Sequence, residues 1–259
     1  MKHGPLAGYR VLVTRPAHHA EELIAGIEEA GGEAIRFPVI EIVGRHPDIV
    51  AEQLASFPRP DIAIFVSRNA VLYGLPAVLE SEAAIAAIGP STRAAIEAAG
   101  SKVTIGSASG FASEQLLAHP ALKDVRGKSV VIVRGETGRE LLADTLRSRG
   151  ATVSYLSAYR REMRHGSKDE IDALDHRFRR GGIDCVTVMS VETLENLLHQ
   201  LPQTSLESLR QTLLVAPGAR VIQTAMKLVP GISAIMASGP QTADMLNALI
   251  EARHSGQKS

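Results

Sequence analysis

The chain has 259 residues, 45% hydrophobic and 22% charged, enough for one large domain or two with a full core. Lys plus Arg and Asp plus Glu both number 28, so the formal net charge is zero, which argues against a general nucleic-acid or membrane-surface binder. The single cysteine, Cys185, excludes an intrachain disulfide and a cysteine metal cluster; with no Trp and 3% aromatics, stacking platforms for bases are scarce.

In chain order, RVLVTRP (10–16) reads as a short strand and HAEELIAGIEEAGG (19–32) as a helix, with Leu23, Ile24, Ile27 and Ala30 on one face and Gly31-Gly32 as its stop. FPVIEIV (37–43) reads as the return strand of a βαβ unit. DIAIFVSRNAVLYGL (61–75), IAAIGPSTRAAIEA (85–98) and KVTIGSASGFASEQLLAH (102–119) each run from strand through turn to helix. KSVVIVRGETGRELLADTLRSRGATVSYLSAY (128–159) then repeats the first unit, with Arg134 for Arg15 and Gly150 for Gly31 at the same separation. DCVTVMSVETLENLL (184–198) repeats the second and sets Ser190 opposite Ser67. TLLVAPGARVIQTA (212–225) repeats the third, setting Pro217 opposite Pro90, Arg220 opposite Arg93 and Ala219 opposite Thr92. ISAIMASGPQTADMLNAL (232–249) loosely repeats the fourth, and the tail 252–259 reads as frayed. Four strand-then-helix units occurring twice predict an α/β protein of two similar parallel-sheet domains. No apolar run approaches the roughly 18 residues of a spanning helix, and the N-terminus lacks a signal-peptide core, so a cytoplasmic protein with no membrane partner is expected.

Ligands of parallel sheets bind at the carboxyl ends of the strands. The candidate loops are therefore 14–18, 67–69, 89–93, 107–113, 134–139, 190–192, 216–220 and 238–242. Each opens a helix, whose first N–H groups lack acceptors and carry a partial positive charge. Two readings stand for their small and hydroxyl residues: simple helix caps, or a seat for carboxylate or phosphate. Arg15, Arg68, Arg93, Arg134, Arg139 and Arg220 lie near these mouths. If the mouths face one cleft, the ligand carries many acids. Tyr159, at the end of YLSAY, is either a general acid or an amphipathic packing residue. His18 and His19 are adjacent, so they do not share a helix face as metal ligands would. GKS (127–129) fails as a phosphate loop, because Leu122 stands where that motif needs glycine and a strand follows. Cys185 reads as a small buried hydrophobe.

Taken in order, VLVTRP, FVSRNAV, IGPSTRAAIEAAG, SEQLL, the long VIVRGETGRELLADTLRSRGATVSYLSAYRR block and VTVMSVETLENLL resemble uroporphyrinogen-III synthases over nearly the whole chain. The resemblance implies two α/β domains joined by a two-stranded linker: residues 1–36 with 162–259, residues 44–153, and linker strands at 37–43 and 154–161. It implies a cofactor-independent, metal-free lyase that closes the linear tetrapyrrole hydroxymethylbilane to uroporphyrinogen III, losing water and inverting the last ring, in an interdomain cleft. Hydroxymethylbilane synthase is the implied hand-over partner, and a monomer is the default. Tyr159 matches the tyrosine that assists water loss. Ser67, Thr92 and Ser190 match cleft hydroxyls and Gly135 a backbone donor; with Arg15, Asn69, Gly89, Ser91, Arg134 and Arg220 at the same helix mouths, they make up the expected substrate contacts. Two alternatives remain: a non-catalytic two-domain binder of an anionic metabolite, and a diverged regulatory paralogue.

Overall fold

The computed structural model describes residues 4–106, 113–138 and 140–256. They form two compact units, one from Met1–Glu41 with Glu162–Ser259 and one from Ile42–Arg161. The chain opens with β1 (Arg10–Val13), α1 (Ala17–Glu29) and β2 (Glu33–Arg36). Leu23, Ile24 and Ile27 are all buried, as their spacing on α1 requires. Gly31 closes the helix at φ 88°, and Gly150, its counterpart in the repeat, does the same at φ 86°. Both are left-handed caps that favour glycine.

The return strand differs from the one read in 37–43. β2 ends at Arg36, and β3 (Ile40–Gly44) belongs to the other sheet. Pro38 lies in the gap and has no N–H to donate to a ladder.

The second unit continues through α2 (Pro47–Ala55), β4 (Ile62–Phe65), α3 (Arg68–Leu79), β5 (Ala84–Ala87) and α4 (Pro90–Ala98). It ends with β6 (Ile105–Gly106), α5 (Ser113–Leu117), α6 (Pro120–Lys123), β7 (Ser129–Gly135), α7 (Leu141–Ser148) and β8 (Thr152–Met163). Its sheet has the order β3-β8-β7-β4-β5-β6, and the pairs from β8 to β6 are parallel. Alternate residues of β4 enter two cores: Ala63 and Phe65 pack with Val131, Leu75 and Ile96, while Ile62 and Ile64 pack with Ile132 and Leu116. A strand buried on both faces is why DIAIF reads as a nearly continuous apolar run.

The chain then adds α8 (Lys168–Arg179), β9 (Cys185–Thr187), α9 (Val191–Gln200), α10 (Gln203–Leu209), β10 (Leu213–Ala216), α11 (Ala219–Leu228), β11 (Ala234–Met236) and α12 (Thr242–Gly256). The first unit's sheet is parallel throughout, with the order β11-β10-β9-β1-β2. Cys185 is fully buried at its centre, and burial pushes its thiol far above the ordinary range. The tail read as frayed is helical through Gly256, with Ala252 buried and the Arg253 guanidinium 5.5 Å from the Tyr9 ring centre.

The repeat has a shared strand-pairing device. The Asp184 carboxylate accepts the Arg10 backbone N–H at 2.8 Å, and Asp61 accepts the Ser129 N–H at 2.7 Å. Each aspartate precedes one strand (β9 or β4) and holds the first residue of its neighbour (β1 or β7). In the third repeat the structure shifts the expected alignment by two positions. Gly89 and Gly218 are both extended N-caps, at φ −149° and −161°. Pro90 therefore stands opposite Ala219, and Thr92 opposite Val221, both of which are buried. Ala219 is not a lost copy of the Thr92 hydroxyl.

Candidate functional site

In the second unit the carboxyl ends of β4 and β7 bring together Ser67, Arg134, Gly135 and Tyr159. A pocket of about 300 Å³ opens there, lined by Val66, Ile88, Arg134, Gly135, Thr137 and Tyr159 among others. Tyr159 is 9% exposed, and its hydroxyl lies 3.2 Å from Ser67 Oγ. Ser67 is the N-cap of α3 and accepts the Ala70 N–H at 3.1 Å. The cap reading and the site reading thus meet in one side chain. Tyr73 lies against Tyr159, with ring centres 6.3 Å apart. Gly135 pairs with Tyr159 where the β7–β8 register shifts. A Cβ at Gly135 would stand 2.9 Å from the Tyr159 ring, so a glycine is what lets the two approach.

Next in the sheet, Gly89 is buried, Ser91 is exposed, and Thr92 is 4% exposed. Thr92 does not cap α4, so the simple-cap reading fails for this hydroxyl. Gly89 holds that position and offers no side-chain acceptor. The Thr92 hydroxyl has no hydrogen-bond partner among the described residues. Arg93 pairs with Glu97 at 3.5 Å and lies over Gly106. Asn69 is buried in the first turn of α3, and Arg68 is exposed beside it.

The other candidates belong to the first unit. Ser190 caps α9, accepting the Thr193 N–H at 3.1 Å, with the Thr193 hydroxyl 2.8 Å away. Arg15 donates to the Pro240 carbonyl at 2.8 Å, and Arg220 is exposed in the first turn of α11. Residues 107–112 of one expected loop, and Arg139, lie outside the described residues.

The sequence reading missed Glu140 and Tyr155. Arg134, its side chain 9% exposed, donates from Nη1 to Glu140 Oε1 at 3.1 Å. Its guanidinium carbon sits 4.1 Å from the centre of the Tyr155 ring, and the Tyr155 hydroxyl donates to the other Glu140 oxygen. The Tyr155 hydrogen bond, then Arg134, holds the Glu140 carboxyl below its ordinary value. Burial, then the Glu140 carboxylate, pushes the Tyr155 phenol up. No periodicity links these residues, so nothing local in the sequence announced them.

Fold and strand ends define a class: duplicated parallel α/β proteins with small, hydroxyl-bearing helix mouths at the carboxyl edges of their sheets. A family model described as Uroporphyrinogen-III synthase HemD matches residues 21–247. The uroporphyrinogen-III synthase of Escherichia coli K12 is 32% identical over 200 residues, spanning 74% of this chain and 80% of that one. The Salmonella typhimurium synthase is 33% identical over 210 residues, with the same coverage of 74% and 80%. Two solved structures share the fold. One is the Helicobacter pylori uroporphyrinogen-III synthetase, with TM-score 0.60, 18% identity, and coverage of 95% and 99%. The other is a mutant uroporphyrinogen III synthase from Thermus thermophilus, with TM-score 0.56, 20% identity, and coverage of 97% and 100%. The chain belongs to the uroporphyrinogen-III synthase family, a family of cofactor-independent cyclising hydro-lyases.

Proposed function

We propose that this chain closes hydroxymethylbilane to uroporphyrinogen III, with Tyr159 as the acid that assists loss of the hydroxymethyl oxygen. The observation that carries the site assignment is the Tyr159–Ser67 pair, whose tyrosine lines the strand-end pocket. Ser67 Oγ accepts from Ala70, so its own hydrogen is available to the Tyr159 oxygen. That leaves the phenol hydrogen for the substrate. Protonation of the hydroxymethyl oxygen lets water leave and generates an electrophilic azafulvene. The last ring then attacks through its substituted carbon, giving a spiro intermediate that rearranges with that ring inverted. The proton released when the macrocycle closes restores Tyr159.

Inversion is a matter of positioning, because the free intermediate also closes without it. The substrate bears an acetate and a propionate on each ring. In this reading those acids meet helix mouths: the Ser91 and Thr92 amides with the Thr92 hydroxyl, the Gly135 turn, and in the other unit Ser190, Arg15 and Arg220. Asn69 and Gly89 shape the same loops. The start of α4, which has no side-chain cap, and the Thr92 hydroxyl, which has no partner among the described residues, support this assignment. A cytoplasmic location and hand-over from hydroxymethylbilane synthase belong to the same reading, since a substrate that closes spontaneously is best passed on quickly.

The test gives the purified protein freshly made hydroxymethylbilane and separates type I from type III products after oxidation. Mostly type III above the enzyme-free control is expected, with Tyr159→Phe forming it at least tenfold more slowly, as for loss of a general acid worth about 10²–10⁴. Type I alone at the background rate overturns the assignment and leaves a binder of acidic metabolites.

A further inference from the structure

Arg134 invites a simple assignment as a cation for one of the substrate's acids, but its surroundings point elsewhere. Its Nε donates to the carbonyl of Gly135 at 3.4 Å, and its Nη1 donates to Glu140. A Cβ at Gly138 would stand 3.3 Å from the guanidinium carbon, so the turn lies directly on the arginine. One side chain thus touches residues 135, 138 and 140 of the turn that follows its own strand. Glu140 is the N-cap residue of α7, yet its side chain makes no cap bond; its two oxygens go to Arg134 and Tyr155. Tyr155 is anchored in β8, which pairs with β7 along its length. A cation this buried needs a fixed anion, and a carboxylate shared between an arginine and a tyrosine is fixed from two strands.

We infer that Arg134, Glu140 and Tyr155 are positioning residues that brace the Gly135–Gly138 turn against Tyr159, and that Arg134 is not a ligand of the substrate. The inference rests on the function proposed above only in taking that turn as part of the substrate's seat. The brace fixes where the turn's backbone meets the pocket, and through the close Gly135–Tyr159 approach it fixes the face on which the phenol rests.

The two roles for Arg134 predict opposite signs in one variant. Glu140→Gln keeps the size of the side chain and removes its charge. If Arg134 bound a substrate acid, losing the competing carboxylate would lower KM. If Arg134 is a brace, the turn loosens and KM for hydroxymethylbilane rises, by roughly three- to tenfold for one weakened charged hydrogen bond. Tyr155→Phe, which keeps the ring under the guanidinium and removes only the hydroxyl, is expected to shift KM in the same direction. In both variants kcat should fall less than KM rises, and the type III share of product should drop. An unchanged or lower KM in Glu140→Gln overturns the inference. A readout independent of turnover accompanies the kinetics: amide hydrogen exchange in residues 135–138 should accelerate in both variants while the core strand β4 stays protected. Unchanged exchange in the turn also overturns the inference. If the wild-type protein forms no type III product, the proposed function fails by itself, and the exchange experiment still decides whether the brace exists.

Discussion

Gly135 shows how little room the site leaves. A Cβ there would meet the Tyr159 ring at 2.9 Å, between strands whose Val133 and Ala158 are wholly buried. Gly135→Ala is therefore expected to displace the phenol from Ser67 Oγ and to lower kcat for type III product by at least about tenfold, since a misplacement near 1 Å costs on the order of 10²-fold. Its melting temperature should fall only modestly, because the ring has the pocket to move into. Steady-state kinetics beside a thermal melt separate the two effects. At this scale the sequence was partly legible. Ser67 and Ser190 stand before their helices and cap them, and Gly31 and Gly150 take the left-handed conformation that only a glycine adopts cheaply. Thr92 misled, because Gly89 fills the cap position and the threonine side chain takes no part in the cap. The Arg134–Glu140–Tyr155 cluster was illegible for a plain reason. Its members meet across a turn and two strands, and charged residues after a strand look the same whether they face a ligand or one another.

Helix α8 is fixed at its start by its own side chains. Its Ser167 accepts the Glu170 N–H at 3.2 Å, and Glu170 reaches back to the Ser167 N–H at 2.7 Å, a complete capping box. Ser167→Ala should cost about 1 kcal/mol, as other lost N-caps do. The Ser167 backbone hydrogen bond, and after it Arg164, holds the Glu170 carboxyl below its ordinary value. A carboxyl depressed in the folded state adds stability above its unfolded pKa and loses it as pH falls through the folded value. Glu170→Gln should therefore melt lower than wild type at neutral pH. The gap should close as pH drops below the ordinary carboxylate range near about 4.3, where wild-type Glu170 is protonated too. Melts from neutral to acidic pH check this; a constant gap would sink it. The box was written in SKDE, where serine precedes glutamate by three. The position of the first return strand was harder to see. FPVIEIV has the β-branched content of one strand, but β2 ends before it at Arg36, and beyond Pro38 its Ile40–Val43 part belongs to the other sheet. The third repeat misaligned for a related reason: GPST and PGAR hold glycine and proline in opposite order, and either order makes the same turn.

The whole molecule rests on a sheet whose strands come from distant parts of the chain. β1 lies between β9 and β2, and Val11 and Leu12 are wholly buried there. Residues 162–259 alone hold three strands of that sheet and leave one side of β9 without its neighbour. Residues 42–161, by contrast, carry five parallel strands with cores on both faces. A fragment of residues 42–161 is expected to melt cooperatively, and 162–259 alone should not, with order returning when a 1–41 peptide is added. Circular dichroism melts of the three samples test this, and a cooperative melt of 162–259 alone would refute it. The duplication was legible because each βα unit carries its own apolar run and cap. Which units share a sheet was not, because nothing local to RVLV names its partner.

That partner arrives late on the ribosome. Arg10 and Asp184, whose ion pair joins the starts of β1 and β9, are 174 positions apart. At roughly 5–20 residues per second, the nascent β1 edge waits about 10–35 s for its neighbour, while the intervening unit is already complete. Throughout that delay a short, mostly apolar segment is exposed beside a finished fold. Newly made protein is thus most vulnerable to aggregation and most dependent on chaperones before residue 185 has emerged, and substitutions in β1 would reduce yield in the cell more than they reduce the stability of the finished enzyme.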